Sequence, residues 1–178
     1  MTTTTIDEPV ISGQPTVADE EPQREPIERV SIICSKGSLD MAYPGLVMAN
    51  GARMMGIEAM VFFTFWGLDM VTEKKVDNLH VATVGNPALP MMPTMVGGLP
   101  GMEAVASKMM KKQMEDLDIP PVREFIEMLS DAGAELYACR MAMDMFKLEE
   151  TDLLPQVDEV LTVMDFYEKS AGAQIIFI

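Results

Sequence analysis

Two thiols and one imidazole hold most of the nucleophilic chemistry available to this chain of 178 residues. Cys34 and Cys139 are its only cysteines and His80 its only histidine. Cys139 closes the apolar run Glu135-Leu136-Tyr137-Ala138-Cys139, and Arg140 to Leu148 follows with helical character. A cysteine at that junction sits at a strand's carboxyl end beside a helix amino terminus, where unpaired N–H groups and the helix dipole favour an anion. The thiolate is the reactive form of cysteine, and the Arg140 cation next to it favours the same state. Cys34 has a similar setting, ending the run Arg29 to Cys34 ahead of Ser35-Lys36-Gly37-Ser38. There Lys36 is the candidate to support a thiolate or bind an anion, with Gly37 in the turn. The alternative use of either cysteine is as a small buried apolar side chain, more so at Cys34, which continues an apolar strand.

Other chemistries find less support. One histidine and no CxxC spacing leave little from which to assemble a zinc site or a Cys-His pair. The chain has 19 methionines, and thioethers are soft ligands for copper(I). The candidate sets are Met91, Met92 and Met95, or Met141, Met143 and Met145. On a helix, however, Met141 and Met145 share a face while Met143 points elsewhere. Core packing or an adaptable interface is the better reading of these methionines, and neither metal nor cofactor is expected. Ser35-Lys36-Gly37-Ser38 lacks the spacing of a phosphate-binding Walker loop. Asp40 suits a helix amino terminus, and His80 lies in a polar, surface-type turn.

The elements that must hold these residues alternate along the chain. Arg29 to Cys34 reads as a buried strand, and a helix follows to about Met55, with Pro44 near its first turn and Gly56 as its stop. Ile57 to Phe65 reads as a second strand. Helices are expected from about Gly101 to Met114 and, after Pro120-Pro121, from Val122 to Ala132. Glu135 to Cys139 is the third strand, and the Met-rich helix follows it. A short strand near Val157–Leu161, a helix to about Ser170 and a strand from Gln174 to Ile178 complete the pattern. Alternating strands and helices predict a parallel sheet covered on both faces. Ligands collect at the carboxyl edge of such a sheet, where both cysteines are expected and where they could be neighbours.

Composition bounds the rest. The length suits one domain, and 48% hydrophobic residues provide for a core. Residues 1–28 carry seven acidic side chains against Arg24 alone and are expected to be a disordered acidic arm ahead of a domain spanning 29–178. A net charge of −15 argues against a nucleic-acid partner and disfavours adsorption to anionic lipid. From Val81 to Met102 the chain has no charged residue but four prolines and four glycines, which no spanning helix sustains. The segment is read as an apolar loop covering a site, a subunit contact or a peripheral membrane-surface patch. Two cysteines without a disulfide framework, and an amino terminus without signal-peptide features, predict a reducing, cytoplasmic setting.

Three stretches together resemble a known family. Ser35-Lys36-Gly37-Ser38-Leu39-Asp40, Phe62-Phe63-Thr64-Phe65-Trp66-Gly67-Leu68 and Tyr137-Ala138-Cys139-Arg140-Met141, each following a strand, are similar to the DsrE/DsrF/DsrH-like family. The likeness is closest to its longer branch, often called "peroxiredoxin family protein", and covers about Arg29 to Ile178. No peroxidatic Pro-x-x-x-Thr-x-x-Cys pattern accompanies it. The resemblance implies a three-layer α/β/α sandwich with a mostly parallel sheet of about five strands, usually in homo-oligomers. It also implies a sulfur carrier or sulfurtransferase holding sulfane sulfur as a persulfide, with Cys139 at the carrier position. Its partners would be sulfur-donor and sulfur-acceptor proteins or small persulfides. Cys34 would assist at most. Two alternatives stand beside this expectation. One is a non-catalytic oligomeric scaffold or adaptor using residues 81–102 to bind a partner or membrane surface. The other is a thiol redox sensor joining Cys34 and Cys139, which requires Cα atoms within about 7 Å.

Overall fold

The computed structural model describes residues 26–82 and 102–178. Five strands alternate with helices: β1 (Arg29–Cys34), α1 (Leu39–Met54), β2 (Glu58–Phe63), α2 (Met102–Glu115), α3 (Val122–Asp131), β3 (Glu135–Cys139), α4 (Arg140–Phe146), β4 (Glu159–Leu161), α5 (Val163–Lys169) and β5 (Gln174–Phe177). They form one sheet in the order β4-β3-β2-β1-β5, with every neighbouring pair parallel. This is the α/β sandwich expected from the alternation. The acidic arm and most of the uncharged 81–102 segment lie outside the described residues.

The central strands are apolar over most of their length because both of their faces are covered. Ile32, Met60, Val61, Phe63 and Leu136 are completely buried, and each such side chain contributes roughly 1.5–3 kcal/mol. On one face lie α1 and α3. Helix α3 presents Val122, Phe125, Ile126 and Leu129 to the core, one stripe at helical spacing. It meets α1 edge to face through Phe125 and Tyr43, whose ring centroids are 6.2 Å apart. Arg53 at the end of α1 donates to the carbonyls of Ala132 (2.9 Å) and Ile57 (3.1 Å), tying the ends of α1 and α3 together.

The return from β4 to β5 crosses the sheet in the opposite sense, so a right-handed connection puts α5 on the other face. Phe166 of α5 stacks on Phe62 at 4.8 Å, and the Lys169 ammonium lies 4.7 Å from the centre of the Tyr137 ring. Side chains alternate along each strand. Phe62 and Tyr137 therefore mark the α5 face, while Val61, Phe63, Leu136 and Ala138 turn toward α1 and α3.

Two expected boundaries moved. The second strand stops at Phe63 rather than Phe65, because Thr64 to Val71 leaves the sheet into a 3-10 segment (Phe65–Val71). The Thr64 N–H still donates to the Cys34 carbonyl at 3.0 Å, but the Gly67 N–H folds back to the Thr64 carbonyl at 2.9 Å. The fourth strand is only Glu159–Leu161. Asp158 fixes its start, exchanging backbone and carboxylate hydrogen bonds with Leu136 at 2.8 and 2.7 Å.

Candidate functional site: a thiol at the sheet's carboxyl edge

Cys139 is the last residue of β3 and the N-cap of α4, with extended backbone (φ −81°, ψ 119°) and no side-chain capping hydrogen bond. Two residues beyond Tyr137, its side chain turns to the α5 face, level with Leu161 of β4. Thr64, one residue past the Phe63–Ala138 pair, borders it from the β2 side. The thiol is closed off, with 2% of Cys139 exposed. Helix α4 is short and ends at Lys147, whose backbone is left-handed (φ 56°).

Cys34 also ends a strand on this edge, as expected, but the two thiols are not the neighbours that the sequence allowed. β2 lies between β1 and β3, so the strands that carry them stand about 10 Å apart, two strand spacings. The register adds a second separation. Cys34 pairs with Phe63, and Phe63 pairs with Ala138, one residue short of Cys139. That single step turns the two side chains to opposite faces. A bridge needs Cα atoms within about 7 Å and convergent side chains. The pairing required of a Cys34–Cys139 redox sensor is therefore not available in this fold, and both thiols are free.

Cys34 is sealed under α1. It is 1% exposed, and burial pushes its thiol up to about 12. Helix α1 passes so closely that a Cβ added at Gly45 would collide with the Cys34 sulfur. Its carbonyl is hemmed in too, since a Cβ at Gly67 would strike the Cys34 oxygen. Gly37 likewise permits a close approach, for a Cβ there would meet the Trp66 carbonyl. Lys36 and Gly37 lie in the loop after β1, on the strand that carries Cys34 rather than beside Cys139. Arg140 adjoins Cys139 in the chain but directs its guanidinium to Glu150, at 2.8 Å.

Sequence reasoning overlooked the exposed apolar groups on this edge. Phe65 adopts a left-handed backbone (φ 47°), uncommon for a bulky side chain and costing on the order of 1 kcal/mol. Phe65 is 42% exposed and Trp66 61%, and the 3-10 segment that holds them packs against α4. Met141 and Met145 stand exposed one turn apart on α4, whereas Met143 is fully buried in the core. These three thioethers do not converge on a common point, and the set formed by Met91, Met92 and Met95 lies outside the described residues. Aromatic residues following an apolar strand read as its continuation, which is why the expected strand ran on to Phe65.

Among the described residues no group of three or more His, Cys, Asp or Glu side chains could hold a metal ion. Nor is any helix among them long and apolar enough to cross a membrane. A cavity of about 510 Å³ lies between α1, α2 and α3, with Tyr43, Met114, Ile119 and Val122 in its wall. It is on the α1 side of the sheet, away from the face to which Cys139 turns.

Known proteins are similar in sequence to this chain. The chain is 36% identical over 138 residues to the sulfur carrier protein DsrE2 of Allochromatium vinosum, a match covering 74% of this chain and 86% of that one. It is 28% identical over 158 residues to the uncharacterized protein YrkE of Bacillus subtilis, covering 86% and 99%. Among solved structures, the ychN protein from E. coli superposes with a TM-score of 0.49 at 10% identity, covering 84% of this chain and 99% of its own. The DsrE/DsrF/DrsH-like family matches residues 26–178, a span that includes all of the described residues, and this chain belongs to that family.

Proposed function

We propose that this protein is a sulfur carrier that holds sulfane sulfur as a persulfide on Cys139. The observation that carries the proposal is the position of Cys139, at the junction of β3 and α4 on the carboxyl edge of the sheet. The 36% identity to a protein named a sulfur carrier supports the same role. Cys34, buried and pushed up to about 12, is left to packing.

The chemistry needs no redox partner. The Cys139 thiolate attacks the outer sulfur of a donor persulfide, R–S–SH. A new S–S bond forms on Cys139, the donor's S–S bond breaks, and the donor leaves as a thiolate. An acceptor thiolate then attacks the outer sulfur of the Cys139 persulfide. The sulfur moves to the acceptor and Cys139 returns to the thiolate. One S–S bond is exchanged for another in each step, so no electrons are gained or lost overall.

With Cys139 only 2% exposed, loading includes a local opening of its surroundings, and its rate scales with the open population. Phe65, Trp66, Met141 and Met145, exposed on the two elements next to the thiol, are the surface on which a donor or acceptor would rest. Aromatic and methionine side chains suit such contacts, offering large apolar area and adaptable shape. The partners are then sulfur-donor and sulfur-acceptor proteins or small persulfides of the cytoplasm.

Transfer provides the test. Protein loaded with polysulfide, desalted and mixed with an excess of an acceptor thiol should pass its extra sulfur to the acceptor. Cys34→Ala should transfer as well as the parent, and Cys139→Ser should transfer nothing. Undiminished transfer by Cys139→Ser would refute the proposal.

A further inference from the structure

We infer that Thr64 is a hydrogen-bond donor to the Cys139 sulfur, serving the thiolate of the empty carrier and the same sulfur as it leaves its persulfide. The inference deepens the sulfur-carrier reading and rests on it for the role in transfer. Thr64 directly follows β2, with extended backbone (φ −134°, ψ 159°). The register between β2 and β3 runs as far as Phe63 opposite Ala138, so the next step sets Thr64 level with Cys139. Phe62 and Tyr137 mark the α5 face, and alternation returns Thr64 and Cys139, two residues on, to that same face. Neighbouring strands are about 4.8 Å apart, which stands the two side chains side by side at the sheet's carboxyl edge. On its other flank Cys139 is level with Leu161, whose side chain has no donor.

The Thr64 hydroxyl is unclaimed. Threonine at a helix N-cap ordinarily accepts from a backbone N–H, yet Thr64 caps the 3-10 segment without a side-chain hydrogen bond. Among the described residues its hydroxyl has no hydrogen-bond partner, although only 8% of Thr64 is exposed. Two other buried hydroxyls are engaged by contrast: Ser35 donates to the Ile178 carbonyl at 2.9 Å, and Thr72 to the Leu68 carbonyl at 2.7 Å. The polar residues that follow Cys139 and Leu161 in the chain are engaged as well. Arg140 donates to Glu150 at 2.8 Å, and Thr162 to Asp165 at 2.7 Å. Both backbone groups of Thr64 are pinned, its N–H by the Cys34 carbonyl (3.0 Å) and its carbonyl by the Gly67 N–H (2.9 Å). A fixed backbone carrying a free hydroxyl is the arrangement of a preorganised donor.

Ionisation of the thiol supplies the acceptor. A protonated thiol is a weak acceptor, whereas a thiolate takes a charge-assisted hydrogen bond. Before loading, the bond from Thr64 raises the fraction of Cys139 present as thiolate. At release, an acceptor thiolate attacks the outer sulfur of the Cys139 persulfide, the S–S bond breaks, and its electron pair passes to the Cys139 sulfur. Thr64 donates to that developing charge and keeps its own proton throughout. A leaving sulfur made less basic in this way departs faster.

Thiol–disulfide exchange tests the hydrogen bond without any sulfane sulfur, so its failure and the failure of sulfur carriage are separate results. In a Cys34→Ala background, dithiodipyridine, a small neutral disulfide, reacts through Cys139 alone. Thr64→Val in that background keeps the shape of the side chain and removes the hydroxyl. Loss of a hydrogen bond to a charged group shifts an ionisation by about one to two pH units, and the pH midpoint of the exchange should rise by that amount. A more basic thiolate is also more nucleophilic, which offsets part of the loss, so the rate at pH 7 should fall roughly three- to tenfold. The deficit should close above the raised midpoint, and Thr64→Ser should restore both midpoint and rate. A merely structural Thr64 would change access to Cys139 by one factor at every pH. An unchanged midpoint, or a rate altered equally across the pH range, would overturn the assignment.

Discussion

Substitution of Gly45 tests directly whether Cys34 is a packing residue. In a helix interior Ala is favoured over Gly by about 0.8–1 kcal/mol. Here the added methyl would run into the Cys34 sulfur, and overpacking of a dense core costs roughly 1–3 kcal/mol. Gly45→Ala alone should therefore be neutral to about 2 kcal/mol destabilising. In a Cys34→Ala background the sulfur is gone, the methyl enters the vacated space, and the same substitution should stabilise by up to about 1 kcal/mol. The coupling between the two positions should be about 1–3 kcal/mol, well above the few tenths seen for independent sites. Urea unfolding of the four proteins at one pH measures it. With a slope of about 1–3 kcal/mol per molar, the shifts in midpoint are resolvable. Equal stabilisation by Gly45→Ala in both backgrounds would refute the close approach of α1 to Cys34.

Two other predictions follow from the same structure. At pH 8 a thiol at about 12 is ionised in roughly one molecule in 10⁴, whereas an unperturbed cysteine is ionised to about a quarter. Cys34 should thus resist iodoacetamide in the native protein and react promptly in urea; native labelling of Cys34 as fast as Cys139 would contradict its sealing. Acid stability should depend on Arg123, whose hydrogen bonds at 2.8–3.2 Å hold the Asp77 carboxyl below its ordinary value. A depressed carboxyl stabilises the fold above its unfolded value near 3.9 and loses that contribution as pH falls through its folded value. Arg123→Gln should lower the urea midpoint at pH 7 and narrow the gap to the parent below about pH 4; a gap independent of pH would contradict the pairing.

Much of the architecture could be read directly from local chemistry. β1 and β3 are apolar runs between turn residues, and α3 shows its core stripe at Val122, Phe125, Ile126 and Leu129 after Pro121. That Cys139 ends a strand and opens a helix was legible for the same reason. The relation between the two thiols was not. It depends on register across an intervening strand, where Phe63 opposite Ala138 rather than Cys139 decides which face each sulfur takes. No property of residues 34 or 139 encodes that step. The end of β2 was hidden because Thr64 and Phe65 have strand-forming side chains, while the backbone there is set by the Thr64–Gly67 turn and the tight approach of Gly67 to Cys34. The burial of Cys139 was equally beyond local reading, since it is set by tertiary packing at the sheet edge and not by the residues beside it in the chain.

The most direct test of sulfur carriage is a peptide map of the protein after brief exposure to polysulfide, with the new thiols blocked before digestion. The peptide containing Cys139 should gain about 32 Da, one sulfur atom, and the peptide containing Cys34 should gain nothing. A sulfur found on Cys34 with Cys139 unmodified, or on neither, would contradict the assignment of Cys139 as the carrier.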